Sequence, residues 1–102
     1  MAKTRTQPWD VAEHLETAED MAGYLEAALD DGDPKLVAAV LGDIARAKGM
    51  THVAQATGLG PETLYEVLSP EGNPELGTVL KVVRALGLQL HATPALRPSV
   101  VD

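Results

Sequence analysis

The side chains with the clearest chemical use lie between Lys48 and Glu66, and they suit contacts with nucleic acid. Glu62 can accept a hydrogen bond from cytosine N4, and Thr63 can contact a thymine methyl group. Lys48 and His52 offer the charge or the N–H groups that phosphate contacts use. The carboxylates of Glu62 and Glu66 would face the phosphate potential, so we expect the chain alone to bind DNA weakly.

Patterns typical of catalytic or metal-binding sites are missing from the sequence. The histidines, His14, His52 and His91, are not spaced like metal ligands of the H-E-x-x-H kind. Without cysteine there is no disulfide, no thiolate metal site and no thiol nucleophile. Ser69 and Ser99 have no neighbouring base. We therefore expect a protein that is not an enzyme and that uses neither a metal nor another cofactor.

The elements that must position the candidate side chains are two short helices joined by a tight turn. A helix-turn-helix needs a small residue where its helices cross and, four residues later, a glycine in the left-handed conformation. Ala54 and Gly58 meet these requirements. The remaining structural positions are filled by apolar residues, namely Val53, Leu59, Leu64 and Val67. The spacing predicts one helix over 51–56, capped by Thr51, and another over 61–68. The alternative is two short helices that have this spacing by chance and do not form the motif.

Two longer helices are predicted before this motif. The first begins at the capping residue Thr17 and stops at Gly32, and the second begins at Asp33-Pro34 and ends at Gly49. Their helical periodicity predicts that the following residues face the core: Met21, Leu25, Ala28, Leu29, Leu36, Val37, Val40, Leu41 and Ile44.

Two more helices are predicted at the ends of the chain. A short one begins at Asp10. The last one is capped by Asn73, begins at Pro74 and ends at Gly87. We expect its apolar residues to face inward, namely Leu76, Val79, Leu80, Val83 and Leu86.

After the last helix the apolar period changes to strict alternation. Leu88, Leu90 and Ala92 alternate with polar residues, which predicts one β-strand. A strand has unpaired edges, and the chain offers no second strand. We therefore expect it to pair with its copy in a homodimer. The alternative is a tail that lies on the helices.

The composition of the 102-residue chain favours one small all-α domain. Hydrophobic residues make up 45% of it and aromatic residues only 3%, so aliphatic side chains must form the core. We predict a compact bundle of about five helices with the C-terminal strand. No apolar run resembles a signal peptide or a membrane span, which indicates a cytoplasmic protein. The predicted parts are an acidic helical arm over 1–32, the helix-turn-helix domain with its strand over 33–94 and a loose tail over 95–102.

The net charge of -7 is confined to the N-terminal third. Residues 1–34 contain nine acidic and two basic residues, whereas residues 35–102 contain six of each. An acidic segment can simply be a solvated helix face. It can also be a docking surface for a basic partner, which is the more specific hypothesis.

Two stretches, TGLGPETLYEVLSPEGNP and TVLKVVRALGLQL, resemble the addiction-module antidote proteins, a HigA-type branch of antitoxins in the Xre-like helix-turn-helix group. The similarity covers nearly the whole chain, including the helical segment AEDMAGYLEAALDDGDPKLVAAVLGDIARAKGM. The resemblance implies a bacterial antitoxin that pairs with a basic RelE/HigB-like toxin, an mRNA-cleaving ribonuclease. It also implies that the antitoxin represses its own operon, either as a dimer or in the complex.

By matching positions, the resemblance places DNA contacts on both helices of the motif. They are Thr51, His52 and Gln55 on the first helix and Pro61, Glu62, Thr63, Tyr65 and Glu66 on the second. Lys48 and Gly60 complete the predicted DNA-binding set. Relatives tend to carry serine and a basic residue at positions 60 and 61, and lysine at position 66.

Residues 9–31 of the acidic segment are predicted to contribute to the toxin contact. Its candidate anchors are Trp9, Leu15, Met21, Tyr24 and Leu25, since Trp and Tyr are enriched at binding hot spots. The same side chains can instead belong to the core. Two other functions stay open: a stand-alone prophage-type transcriptional regulator, and a toxin-binding module that has lost DNA affinity.

Overall fold

The computed structural model describes residues 15–95, which fold into five α-helices. In chain order these are α1 (Ala18–Asp31), α2 (Pro34–Lys48), α3 (Met50–Thr57), α4 (Pro61–Val67) and α5 (Leu76–Ala85). No strand occurs among residues 15–95, and the predicted all-α bundle is confirmed. Three predictions fall outside the described range: the helix start at Asp10, the contact at Trp9 and the loose tail beyond residue 95.

The starts of α1 and α2 follow from local capping chemistry. The Thr17 hydroxyl accepts a hydrogen bond from the Asp20 amide at 3.0 Å, and the Asp20 carboxylate accepts one from the Thr17 amide at 3.3 Å. The Asp33 carboxylate caps α2 by accepting a hydrogen bond from the Lys35 amide at 3.0 Å. Both predicted starts are therefore confirmed.

The central helix of the core is α2, which packs against α1, α3 and α4. Leu41 and Ile44 are fully buried on it, and each such side chain stabilises the fold by roughly 1.5–3 kcal/mol. The other helices bury residues against the same cluster: Met21, Leu25 and Ala28 of α1, Val53 of α3, Leu64 of α4, and Val82 and Val83 of α5. Helix α1 therefore shares one core with the rest of the described chain.

Gly42 allows the backbone of α2 to approach the end of α4. A Cβ atom at this position would lie well inside 3.0 Å of the Leu68 carbonyl oxygen, a separation that real Cβ atoms do not show. Leu68 is buried and follows α4 directly. The close approach of Gly42 and Leu68 therefore fixes the position of α4 on α2, and with it the side of α4 that faces solvent.

Two predicted helix starts are wrong. Helix α3 begins at Met50 rather than after a Thr51 cap, because the chain passes from α2 to α3 through Gly49 alone. Helix α5 begins at Leu76 rather than next to Asn73, and no side-chain hydrogen bond caps it. Neither Thr51 nor Asn73 makes the side-chain hydrogen bond that a helix cap requires.

Four leucines that were predicted to face the core are exposed: Leu29, Leu36, Leu76 and Leu80. In α5 the buried residues are Val82 and Val83, and Leu86 directly after the helix is buried with them. The apolar residues of α5 cover two sides of the helix. Only one side packs on α3, so the other remains in solvent.

The strand predicted at residues 88–92 is not seen. Leu88 and Leu90 are half-buried against the core, whereas Ala92 is exposed. Residues 89–95 form no backbone hydrogen bond with any other described residue, and a β-ladder requires such a neighbour. The segment instead lies on the helices, which is the alternative that the sequence left open. Residues 88–95 are called the tail below.

Candidate nucleic-acid and partner interfaces

Thr57 and Gly58 hold the turn between α3 and α4. Gly58 has φ 78°, a left-handed conformation that disfavours a residue with a Cβ by roughly 1–2 kcal/mol. Its amide donates to the Ala54 carbonyl at 2.9 Å. The buried Thr57 hydroxyl donates to the Val53 carbonyl at 2.8 Å and accepts from the Leu59 amide at 3.3 Å. Sequence reasoning missed Thr57, although threonine in a last helical turn often bonds back to the preceding turn.

All ten residues predicted to contact DNA are exposed, namely Lys48, Thr51, His52, Gln55, Gly60, Pro61, Glu62, Thr63, Tyr65 and Glu66. The opposite sides of α3 and α4 are anchored in the core by Val53 and Leu64, which are fully buried. The fold therefore places the predicted DNA contacts at the solvent-facing surface. Among these residues α4 contributes two carboxylates and no basic side chain.

Lys48 and His52 share a cleft with Glu16. The cleft lies where the start of α1 meets the end of α2 and the start of α3, and its lining is completed by Leu15, Met21 and Ala47. A carboxylate beside two groups that were predicted to contact phosphate weakens their attraction for DNA. Sequence reasoning missed this role of Glu16, since only the packing of α1 on α2 brings it to the cleft.

Helix α1 and its flanks carry the whole net charge of the chain. Residues 15–34 contain seven acidic residues and no Lys, Arg or His, whereas residues 35–95 contain five acidic residues and five Lys or Arg. All seven carboxylates are exposed and together form the acidic surface: Glu16, Glu19, Asp20, Glu26, Asp30, Asp31 and Asp33. This surface suits a partner with a high density of positive charge.

Tyr24 ties the acidic helix to α2. Its hydroxyl donates a hydrogen bond to the Asp43 carboxylate at 2.7 Å, and Asp43 also pairs with Arg46. Burial, followed by the hydrogen bond and the charge of Asp43, raises the pKa of Tyr24 to about 12, while the charge of Arg46 acts in the opposite direction. The phenol is therefore neutral near pH 7 and keeps its proton for this bond.

Among residues 15–95, no three His, Asp or Glu side chains gather in an arrangement that could hold a metal ion. The described histidines, His52 and His91, line separate clefts. In the same part of the chain, no helix combines the length and the apolar character that crossing a membrane requires.

Comparison with known proteins decides the family. Residues 5–94 match the family described as probable addiction module antidote protein. The chain belongs to this family. An uncharacterised protein of Haemophilus influenzae is 46% identical to this antidote-family chain over 83 residues, which cover 81% of the chain and 86% of the relative. No solved structure matches the chain.

Three of the five predicted toxin contacts are buried in this antidote-family chain. Leu15, Met21 and Leu25 are only 6%, 5% and 4% exposed, because they pack in the core. Tyr24 is half-buried and hydrogen-bonded to α2. Trp9 lies outside the described residues. In this conformation α1 presents its carboxylates to a toxin, and Leu29 is its exposed large apolar side chain.

The tail of the antidote-family chain separates two shallow grooves. The α1 groove lies between α1 and the tail, and its lining includes Glu26, Leu29, Asp30, Leu90 and His91. The α5 groove lies between α5 and the tail, and its lining includes Leu80, Arg84, Leu88 and Leu90. Because Leu90 lines both grooves, the tail runs between α1 and α5.

Proposed function

We propose that the protein is the antitoxin of a type II toxin–antitoxin pair and that it neutralises a basic ribonuclease toxin of the RelE/HigB type. Membership of the antidote family supports the antitoxin assignment. The observation that carries the choice of toxin is the acidic surface, where residues 15–34 hold a charge of -7 on exposed side chains. A toxin that cleaves RNA must present positive charge, and this surface complements it.

The acidic surface would act on the rate of association and on access to the RNA site. Opposite charges steer encounter complexes toward rate constants of about 10⁸ M⁻¹s⁻¹ at low salt, and salt screens this effect. Tyr24 and the buried residues of α1 hold the carboxylates on a fixed helix. Once docked, that helix would occupy the cationic surface on which the toxin binds RNA.

We further propose that α3 and α4 form a helix-turn-helix through which the antitoxin binds its operator and represses its own operon. The left-handed Gly58, the buried Ala54 and the exposure of the ten candidate contacts support this assignment. A homodimer would place two such motifs on successive half-sites. The carboxylates of Glu16, Glu62 and Glu66 make binding by the antitoxin alone weak.

Co-expression with a small basic protein, if one is encoded next to this chain, tests the first proposal. We expect that protein to arrest growth when it is expressed alone, and to be harmless and co-purified when the antitoxin is present. The double change Glu19→Gln with Asp31→Asn should weaken the complex roughly 3- to 10-fold at low salt in calorimetry. The control Glu71→Gln with Glu75→Gln removes the same charge from the loop before α5. An equal loss in the control would show that no local contact with α1 exists.

Gel shifts on the upstream DNA at one stated low salt concentration, with and without the toxin, test the second proposal. Changing Glu62→Gln with Glu66→Lys should strengthen binding about 10-fold, because it removes two carboxylates and adds a cation at the groove. The matched control, Glu71→Gln with Glu75→Lys, alters net charge equally in a different element. If both variants bind alike, α4 does not enter the groove.

One observation favours a second candidate, a toxin-binding module that has lost DNA affinity. Helix α4 exposes two carboxylates and carries no basic residue. Intact toxin neutralisation, together with no gel shift even in the presence of the toxin, would select this candidate.

A further inference from the structure

Leucine side chains of α1, α5 and the tail line the two neighbouring grooves. Leu29 lines the α1 groove, Leu80 lines the α5 groove, and Leu90 of the tail lines both. Leu29 and Leu80 are 44% and 43% exposed, and Leu76, one turn before Leu80, is 69% exposed. These four residues are the apolar strip. Apolar surface that is contiguous rather than scattered marks an interaction site.

Backbone groups of the tail lie beside the strip. Within the described part of the chain, residues 89–95 make no backbone-to-backbone hydrogen bond. A partner that docks here would meet N–H and C=O groups that add polar contacts to the apolar surface.

The two borders of the apolar strip carry opposite charges. Glu26 and Asp30 border it on the α1 side, where no Lys or Arg lines the groove. Arg84 borders it on the α5 side, with Lys81 one turn earlier on the same helix, and no acidic residue lines that groove. All four charged side chains are exposed.

We propose that a second copy of this chain docks on the apolar strip, about a two-fold axis that lies in the contact plane and runs along the tail. Rotation about such an axis brings the acidic border of each copy against the basic border of the other and closes the strip on itself. A basic toxin would be repelled by Lys81 and Arg84, whereas the chain's own copy is complementary on both sides. This inference rests on the homodimer of the proposed function and assigns its face. The remaining carboxylates of the acidic surface stay available to the toxin.

Exchanging the charges of the two borders tests this face. The acidic-border variant is Glu26→Arg with Asp30→Arg, and the basic-border variant is Lys81→Glu with Arg84→Glu. Either variant alone places like charges together at both symmetric contacts, so its dimer Kd should rise roughly 10- to 100-fold in sedimentation equilibrium at low salt. An equimolar mixture has opposite charges at both contacts, so a heterodimer with a near wild-type Kd is expected. Far-UV circular dichroism checks that each variant folds.

A matched control and three outcomes decide the proposal. Glu62→Arg with Glu66→Arg changes the charge as much as the acidic-border variant does, and its dimer Kd should stay at the wild-type value. The face is wrong if the border variants self-associate like the wild type, if their mixture gives no heterodimer, or if the control weakens the dimer equally. A wild-type chain that stays monomeric at millimolar concentration would also overturn it. Toxin co-purification is measured separately, so the antitoxin assignment stands or falls on its own result.

Discussion

Gly42→Ala is the substitution whose effect follows most directly from the packing of α2 on α4. Inside an unobstructed helix, replacing glycine by alanine stabilises a protein by about 1 kcal/mol. In α2 the new methyl group would lie well inside 3.0 Å of the Leu68 carbonyl oxygen, and 3.5 Å from the Leu68 Cβ. The obstructing atom is backbone, so α2 and the end of α4 must separate. Overpacking destabilises by about 1–3 kcal/mol, and so deep an overlap with a backbone atom puts the cost at about 2–3 kcal/mol. After subtraction of the helix gain we expect a net loss of about 1–2 kcal/mol.

Thermal and urea unfolding followed by circular dichroism measure this loss. In a domain of this size 1 kcal/mol corresponds to roughly 4–8 °C, so the Tm of the Gly42→Ala variant should fall by about 4–16 °C. Gly23→Ala is the matched control, because Gly23 lies within α1 and an added Cβ there meets nothing within 4 Å. That control should be stabilised by about 0.5–1 kcal/mol. If both variants gain stability alike, the close approach of α2 and Leu68 does not exist.

Three further outcomes follow from the contacts of Tyr24 and from the turn after α3. Tyr24→Phe removes the hydrogen bond to Asp43 and should lower the unfolding free energy in urea titrations by about 1 kcal/mol. Folding raises the pKa of Tyr24 from 10.0 to about 12, so its contribution is fully present below pH 10 and is lost as the pH rises toward 12. Stability curves measured across this window should therefore fall less steeply for the Phe variant, and parallel curves would show that folding does not raise the pKa of Tyr24. Gly58→Ala places a Cβ at φ 78° and should cost about 1–2 kcal/mol, whereas Gly60→Ala, at φ -71° with open space around it, should change stability by less than about 0.5 kcal/mol.

Helix starts were predictable where the deciding bond is local. The hydrogen bonds that cap α1 and α2 join Thr17 to Asp20 and Asp33 to Lys35, so the residues that make them stand within three positions of each other. The left-handed turn at Gly58 has the same character, since its φ depends on the residue itself and on the helix that it ends. The exposure of the candidate DNA contacts followed from these short-range signals.

Packing between distant segments decided the features that the sequence did not predict. Leu76 and Leu80 have the apolar character of core residues, and only the contact of α5 with α3 determines that another side of the helix is buried. The alternating segment at residues 88–92 forms no ladder with any other part of residues 15–95. Glu16 reaches the cleft of Lys48 and His52 only because α1 folds back on α2. Periodicity within one segment contains none of this information.

Helix α1 is complete before any partner arrives. It is capped at Thr17, closed at Gly32 and joined to α2 through Tyr24 and Asp43. A segment that becomes ordered only when it binds loses backbone entropy worth about 1–2 kcal/mol per residue during binding. Because α1 is already ordered in the free chain, toxin binding would not include this cost. Toxin capture through α1 would therefore proceed as rigid-body docking, with a small heat-capacity change in calorimetry rather than the large one of coupled folding.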